Sequence, residues 1–197
     1  MVHTGWIIYN GSLQSKAFYE MANMLKQACD RQSLQTKIFR NNDLLTMFHG
    51  NSLSLLNYSP IDLPKFAIFL DKDIHLARQL ELLGIRVFNR PQAILDSDNK
   101  ITTYQLLAKN HIPIPKTIVA PKQYPYQPRE SDHFSFIDNV MQELQFPMVI
   151  KEAFGSFGEQ VYLIQSEEEL IHKINALYGK EYLFQALVTT SYGRDIR

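Results

Sequence analysis

Cysteine is nearly absent from this sequence of 197 residues. The single cysteine, Cys29, has no second thiol with which to form an internal disulfide, which is consistent with a reducing cytoplasm. It falls in helical spacing with four other apolar residues, namely Phe18, Met21, Ala22 and Leu25. We therefore predict a buried thiol on the inner face of a helix, and a cytoplasmic protein.

The sequence also has no excess of charge of either sign, because Lys+Arg and Asp+Glu both number 20. No global positive field would gather nucleic acid or anionic lipid, so we expect no nucleic-acid partner. Continuous apolar runs of about 18 residues are absent, and the first residues lack a secretory signal, so we expect no membrane association. With 45% hydrophobic residues the chain is long enough for one or two domains with a core.

Several motifs that would indicate other chemistries are missing. The six histidines show no metal-ligand spacing, and the chain has neither a G-x-S-x-G nucleophile elbow nor a phosphate-binding G-x-x-x-x-G-K loop. These absences exclude the common zinc sites, α/β-hydrolases and P-loop enzymes from the interpretation.

The first ninety or so residues alternate short apolar runs with segments of helical spacing. Four predicted strands cover residues 6–9, 36–39, 66–70 and 85–88, and two predicted helices cover 13–29 and the segment that ends at Gly84. This order predicts a parallel sheet covered on both faces by helices. Residues 43–58 are ambiguous, because helical spacing there is interrupted at Gly50, and 10–12 fit a turn better than a ligand loop.

The pattern changes after residue 93. We predict a helix capped by Thr102 or Thr103, an extended segment at 117–119, an irregular loop at 121–135 and a helix at 136–144. A hairpin follows, then a helix that begins with a capping box formed by Ser166 and Glu169, and a last strand at 182–188. The second half is therefore a mixed α+β unit.

One stretch, FPMVIKEAFGSFGEQVYLI at 146–164, places Lys151 after an apolar run and just before the turn Gly155-Ser156-Phe157-Gly158. A surface lysine beside an ordinary hairpin turn is one interpretation. The other is a nucleotide clamp, because lysine supplies a compact charge with three donors and glycines let the backbone approach phosphate oxygens.

Three blocks in the same order resemble the ATP-grasp ligases of the RimK-like type. They cover 98–107 with 112–117, then 147–152 with 155–158, and finally 183–188 with 193–197. The resemblance implies a Rossmann-like pre-ATP-grasp α/β domain at 1–93 and a nucleotide-binding ATP-grasp lobe at 94–180. Residues 181–197 would form the hinge and the start of a C-terminal lobe.

The resemblance also implies the site residues. Lys100 and Lys151 would contact the phosphates, and Gly155, Ser156, Phe157 and Gly158 would form the glycine-rich flap. The strand with Gln185, Ala186, Leu187 and Val188 would bind adenine through its backbone, while Asp195 would lie near the ribose or form a surface ion pair. Two positions depart from the family pattern: Gln160 replaces a flap glycine, and Ala186 replaces an acidic residue.

The implied activity is an ATP-dependent carboxylate–amine ligase. ATP would phosphorylate a carboxylate, and an amine, often glutamate or another amino acid added to a peptide, protein tail or small molecule, would attack the acyl phosphate. Magnesium would be bound by residues downstream of position 197. The chain reads as a piece cut within a strand, so we expect no turnover from it alone, and a homo-oligomer stays open. Two alternatives also stay open: a non-catalytic nucleotide-binding or regulatory module, and an α/β ligand-binding domain without an ATP site.

Overall fold

The structure is a computed structural model that describes residues 4–13, 15–124, 135–156 and 158–190. The chain divides into two compact units, Met1–Leu95 and Asp96–Arg197. The regular elements of the first unit are β1 (Thr4–Tyr9), α1 (Lys16–Arg31), β2 (Gln35–Arg40), β3 (Thr46–His49), β4 (Ser52–Leu55), β5 (Phe66–Phe69), α2 (Ile74–Leu82) and β6 (Arg86–Phe88).

Four strands of the first unit form one parallel sheet in the order β2-β1-β5-β6. Trp6 pairs with Lys37 on one side and with Ala67 on the other, which sets the register of the central strands. Every second residue of these strands enters a core with α2, as shown by the buried residues Trp6, Ile8, Ala67, Phe69, Leu76, Leu80 and Val87. The predicted parallel α/β sheet is confirmed.

Helix α1 lies close to the predicted position, but its inner face is narrower than expected. Ala22 and Cys29 are buried, and Phe18 and Leu25 are partly buried, whereas Met21 is 49% exposed. The prediction for Met21 is wrong because consecutive helical residues are rotated by about 100°. Ala22 already faces the sheet, so its neighbour turns towards solvent.

Residues 43–58, which were ambiguous by sequence, are not an α-helix. They contain the antiparallel hairpin of β3 and β4, in which Thr46 pairs with Leu55. Gly50 lies at the turn with φ of +57°, a conformation that side chains with a Cβ rarely adopt. The glycine that interrupted the helical spacing is therefore the residue that reverses the chain.

Helix α3 (Pro91–Asp98) follows β6, and the second unit then contains a mixed set of elements. They are α4 (Lys100–Lys109), β7 (Thr117–Val119), α5 (Ile137–Leu144), β8 (Met148–Glu152), β9 (Val161–Ile164), α6 (Glu167–Ala176) and β10 (Tyr182–Ala186). The four strands form an antiparallel sheet in the order β7-β10-β8-β9. The predicted α+β unit is confirmed, and most of the predicted loop, 125–134, lies outside the described residues.

The ends of the helices test two capping predictions. Asn99 caps α4, because its Oδ1 accepts hydrogen bonds from the backbone of Ile101 and Thr102, so neither Thr102 nor Thr103 is the cap. Asparagine is the stronger cap, and the Thr103 hydroxyl instead donates back to the Asp96 carbonyl at 2.7 Å.

At α6 the predicted capping box is half correct. Ser166 Oγ accepts from the backbone of Glu169 at 3.3 Å, as expected. The Glu169 carboxylate accepts a hydrogen bond from the backbone of Gln165, one residue before the cap.

Within the part of the chain that the structure describes, no helix is both long and apolar enough to cross a membrane.

Candidate functional site

The antiparallel sheet of the second unit has two different faces. One face packs on α5 and α6 through the fully buried residues Met148, Ile150, Tyr182 and Phe184. Because side chains alternate along a strand, Lys151 and Gln185 project from the opposite face. Lys151 pairs with Leu183, and Gln185 pairs with Val149, so the two polar residues are diagonal neighbours on adjacent strands.

A chain of hydrogen bonds orients the Lys151 ammonium. Lys151 Nζ donates to Gln185 Oε1 at 2.7 Å, and Gln185 Nε2 donates to Thr117 Oγ1 at 2.8 Å. The Thr117 hydroxyl then donates to the Pro115 carbonyl at 2.7 Å. The Lys151 ammonium can only donate and the Pro115 carbonyl can only accept. The Gln185 amide and the Thr117 hydroxyl between them therefore each have one orientation.

Helix α4 adds a second contact to Lys151. The Tyr104 hydroxyl lies 3.4 Å from Lys151 Nζ and 3.5 Å from Gln185 Oε1, and the ammonium is 5.9 Å from the tyrosine ring centre. Neither Tyr104 nor Thr117 was predicted as a site residue. Tyr104 had a signal: it follows Lys100 by four residues, which places both on one side of a helix.

Lys100, the first residue of α4, is attached to the segment that follows β8. Its backbone N–H donates to the Ala153 carbonyl at 2.8 Å, and its ammonium donates to the Gly155 carbonyl at 3.0 Å. Lys151 lies within β8, two residues before Ala153. The structure therefore attaches Lys100 to the segment that directly follows the strand of Lys151.

The predicted flap contains two glycines in conformations that require glycine. Gly155 has φ of +138° and Gly158 has φ of +80°. The Ser156 carbonyl accepts a hydrogen bond from the Glu159 backbone at 3.3 Å, while Phe157 lies outside the described residues. The turn thus has the backbone freedom on which the phosphate-binding hypothesis depends.

The predicted adenine strand is β10, and most of its backbone is already paired within the sheet. Gln185 pairs with Thr117 and Val149 on its two sides, and the Ala186 N–H donates to the Lys116 carbonyl at 2.9 Å.

Leu187 and Val188 follow the end of β10, and Val188 is 48% exposed. Adenine binding through the backbone therefore stays a prediction, chiefly for these two residues. Asp195 lies outside the described residues.

Glu152 directly follows Lys151, yet its carboxylate lies on the helix-covered face of the sheet. It accepts hydrogen bonds from the Tyr162 hydroxyl at 2.7 Å and from the Lys180 ammonium at 2.9 Å. Burial opposes its ionisation, but these two bonds, together with the positive charges of Lys180 and Lys173, lower the pKa of Glu152. This carboxylate is therefore satisfied by its own partners and does not face the Lys151 ammonium.

A group of three or more histidine, cysteine, aspartate or glutamate side chains that could hold a metal ion is not found within the described ranges. The candidate site in these ranges is thus defined by cations, amides and backbone groups.

Comparison with known proteins decides the family. A family model described as a RimK-like ATP-grasp domain matches residues 97–197. The chain belongs to the RimK-like ATP-grasp family. The match covers all three sequence blocks on which the resemblance was based, and it confirms that resemblance.

Curated relatives of this RimK-like chain extend the similarity into the first unit. It is 32% identical over 189 residues to beta-citrylglutamate synthase B of Mus musculus, covering 90% of this chain and 47% of that protein. It is 30% identical to N-acetylaspartylglutamate synthase A of Homo sapiens, covering 90% of this chain and 46% of that protein. The chain spans about half the length of these curated relatives.

Among solved structures, the RimK domain protein ATP-grasp from Sphaerobacter thermophilus DSM 20745 superposes with a TM-score of 0.62 at 17% identity. The superposition covers 93% of this chain and 64% of that chain. At this identity the likeness shows the fold alone. It is consistent with the parallel sheet of the first unit and the antiparallel sheet of the second.

Proposed function

We propose that this chain carries the nucleotide-binding portion of an ATP-dependent ligase that joins a carboxylate to an amine. The observation that carries the proposal is that Lys100 is hydrogen-bonded to the segment that directly follows β8, the strand that contains Lys151. Membership of the RimK-like family and the names of the relatives as synthases support it.

The described residues fit a triphosphate. The Lys100 ammonium lies at the Gly155 carbonyl, in a turn whose glycines can approach phosphate oxygens without a Cβ in the way, and Lys151 supplies a second ammonium from the strand before that turn. The partner of Lys151 is the neutral amide of Gln185, so the positive charge is not cancelled by the group that orients it. The adjacent Glu152 carboxylate forms an ion pair with Lys180 on the other face of the sheet.

In this proposal the charge of the phosphates is stabilised by groups that are already positioned, which is the usual role of protein side chains in phosphoryl transfer. Adenine would lie along Leu187 and Val188, beyond the paired part of β10. A carboxylate oxygen would take the terminal phosphoryl group of ATP, releasing ADP. An amine would then displace phosphate and form the amide.

The amine donor we propose is glutamate or a related amino acid. Both relatives described above are named for products that contain glutamate. Magnesium ligands expected from the family are not among the described residues, so the residues assigned here are those that bind and orient the nucleotide.

The test is calorimetric titration of ATP into the 197-residue chain and into Lys151→Ala. We expect the variant to bind at least about tenfold more weakly, a loss of about 1.4 kcal/mol. Lys109→Ala is the matched control, because Lys109 is an exposed lysine at the far end of α4 and should be silent. Equal affinity of the parent and Lys151→Ala would refute the proposal and favour a domain without an ATP site.

A further inference from the structure

Gln160 occupies a flap position where the family resemblance led us to expect glycine. It lies immediately before β9, and its carbonyl accepts a hydrogen bond from the Glu152 backbone at 3.1 Å. The backbone of Gln160 is therefore held by β8, and its side chain lies beside Gly155 at the start of the turn.

The Gln160 side chain fills the space beside Gly155. A Cβ added to Gly155 would lie 2.2 Å from Gln160 Oε1 and 2.8 Å from Gln160 Cδ, so the glutamine side chain would have to move away. Gly155 also has φ of +138°, so its backbone conformation favours glycine, and the contact shows that the Gln160 side chain lies directly against it. The two residues thus form one packed pair across the base of the turn.

This pair is connected to Lys100. The carbonyl of Gly155 accepts the hydrogen bond from the Lys100 ammonium at 3.0 Å. A change in the backbone conformation of Gly155 would move that carbonyl, and with it the group that orients the ammonium. The contacts therefore run in sequence from Gln160 to Gly155 and from Gly155 to Lys100.

We propose that Gln160 is a positioning residue for nucleotide binding, which rests on the proposed function of Lys100 as a phosphate-binding group. By occupying the space beside Gly155, its side chain keeps the Gly155 carbonyl where it orients the Lys100 ammonium towards the phosphates. Where the family resemblance led us to expect glycine, this chain uses a larger side chain to hold the base of the turn in one conformation.

The contribution comes from the volume of the side chain and not from a hydrogen bond. Gln160 Oε1 is buried and has no hydrogen-bond partner among the residues that the structure describes. A buried acceptor without a donor costs free energy, so the amide itself does not stabilise this arrangement. Methionine, which has a similar length and no unpaired polar atom, should therefore replace Gln160 without loss of positioning.

The experiment is a double-mutant cycle of ATP affinity with Gln160→Gly and Lys100→Ala. We expect Gln160→Gly to weaken binding about fivefold when Lys100 is present and less than about twofold in the Lys100→Ala background, because coupled residues are not additive. Gln160→Met should bind within about twofold of the parent. Gln165→Gly, at an exposed glutamine just beyond β9, is the control and should be silent.

Three results would overturn the inference: an unchanged affinity in Gln160→Gly, the same loss in both backgrounds, or a Gln160→Met variant as weak as Gln160→Gly. If the glycine variant folds poorly, Gln160→Ala, which removes the side-chain volume beyond Cβ, takes its place in the cycle. The proposed function fails separately, if Lys151→Ala binds ATP like the parent, and the phosphate-binding role of Lys100 fails if Lys100→Ala does. If those lysine variants bind weakly and the cycle is additive, the ATP site stands and only the role of Gln160 is rejected.

Discussion

Gln185 Oε1 accepts a hydrogen bond from the Lys151 ammonium at 2.7 Å, across two neighbouring antiparallel strands. An amide in this position orients the lysine and leaves its charge intact. A carboxylate would orient it equally well but would neutralise it and repel phosphate oxygens. The choice of a neutral partner is thus consistent with a cation that serves an anionic ligand.

Gln185→Glu should weaken ATP binding by at least about tenfold, or about 1.4 kcal/mol, because the new carboxylate pairs with Lys151. Calorimetric titration of ATP measures this directly. Gln165→Glu adds the same charge at an exposed position and should change the affinity less than about twofold. Tighter or unchanged ATP binding by Gln185→Glu would contradict a phosphate-binding role for Lys151.

Thr117→Val should have a smaller effect on the same measurement. The variant removes the acceptor of the Gln185 amide at 2.8 Å, so the amide is free to turn its nitrogen towards Lys151. We expect a loss of about threefold in ATP affinity, and Thr117→Ser, which keeps the hydroxyl, should restore it. If valine and serine variants bind ATP alike, the hydroxyl does not orient the site.

Tyr162→Phe should destabilise the protein in a pH-dependent way. The hydroxyl bond to Glu152 helps to lower the pKa of that carboxyl below its ordinary value of 4.5. A lowered folded-state pKa gives stability that is fully present above 4.5 and is lost as the pH falls through the lowered pKa.

The free energy of unfolding of Tyr162→Phe, from urea titration, should therefore be lower than that of the parent by about 1 kcal/mol at pH 7, and the gap should close at an acid pH below the lowered pKa. Tyr124→Phe, at a tyrosine that is 62% exposed, serves as the control and should be neutral at both pH values. An equal cost of Tyr162→Phe at both pH values would show that Glu152 is not involved.

Tyr182→Phe should have the opposite effect on stability. Burial raises the pKa of Tyr182 to about 12, and its hydroxyl has no hydrogen-bond partner among the described residues. Removing an unpaired buried hydroxyl should raise the free energy of unfolding by about 1 kcal/mol at pH 7.

A pH series checks the cause. The parent should lose stability as the pH rises from about 10 to about 12, because the unfolded tyrosine ionises first, and Tyr182→Phe should lose less. A less stable phenylalanine variant would indicate that the hydroxyl has a partner.

Gly5→Ala should destabilise the first unit. A Cβ at Gly5 would lie 2.3 Å from Cζ of the Phe66 ring, so the partly buried ring must move away. We expect a loss of about 1 to 2 kcal/mol in urea unfolding. In a Phe66→Ala background the same substitution should cost almost nothing, and an undiminished cost there would rule out the ring contact as the cause.

Local patterns in the sequence were sufficient for much of the fold. The strands at Trp6 and Phe66 and the hairpin around Gly155 follow from apolar runs and turn residues, which depend on neighbours within a few positions. The exceptions are local competitions: Asn99 caps α4 in place of the threonines, and Met21 turns to solvent because its neighbour takes the inner face. The position of Lys151 after an apolar run was also available from the sequence, whereas Lys100 opens α4 because Asn99 is the cap.

Only the tertiary structure decided which side chains meet. Gln185 reaches Lys151 because β10 lies between β7 and β8, an order that no local pattern encodes. Glu152 faces away from Lys151 because side chains alternate along a strand, which the sequence does predict. Its partners Tyr162 and Lys180, however, come from other parts of the chain. The packing of Gln160 on Gly155 is likewise a contact that appears only when the hairpin closes. The periodicity of apolar residues specifies the helices and strands. The site depends instead on contacts between residues distant in sequence, and those contacts are set by the packing energy of the whole fold.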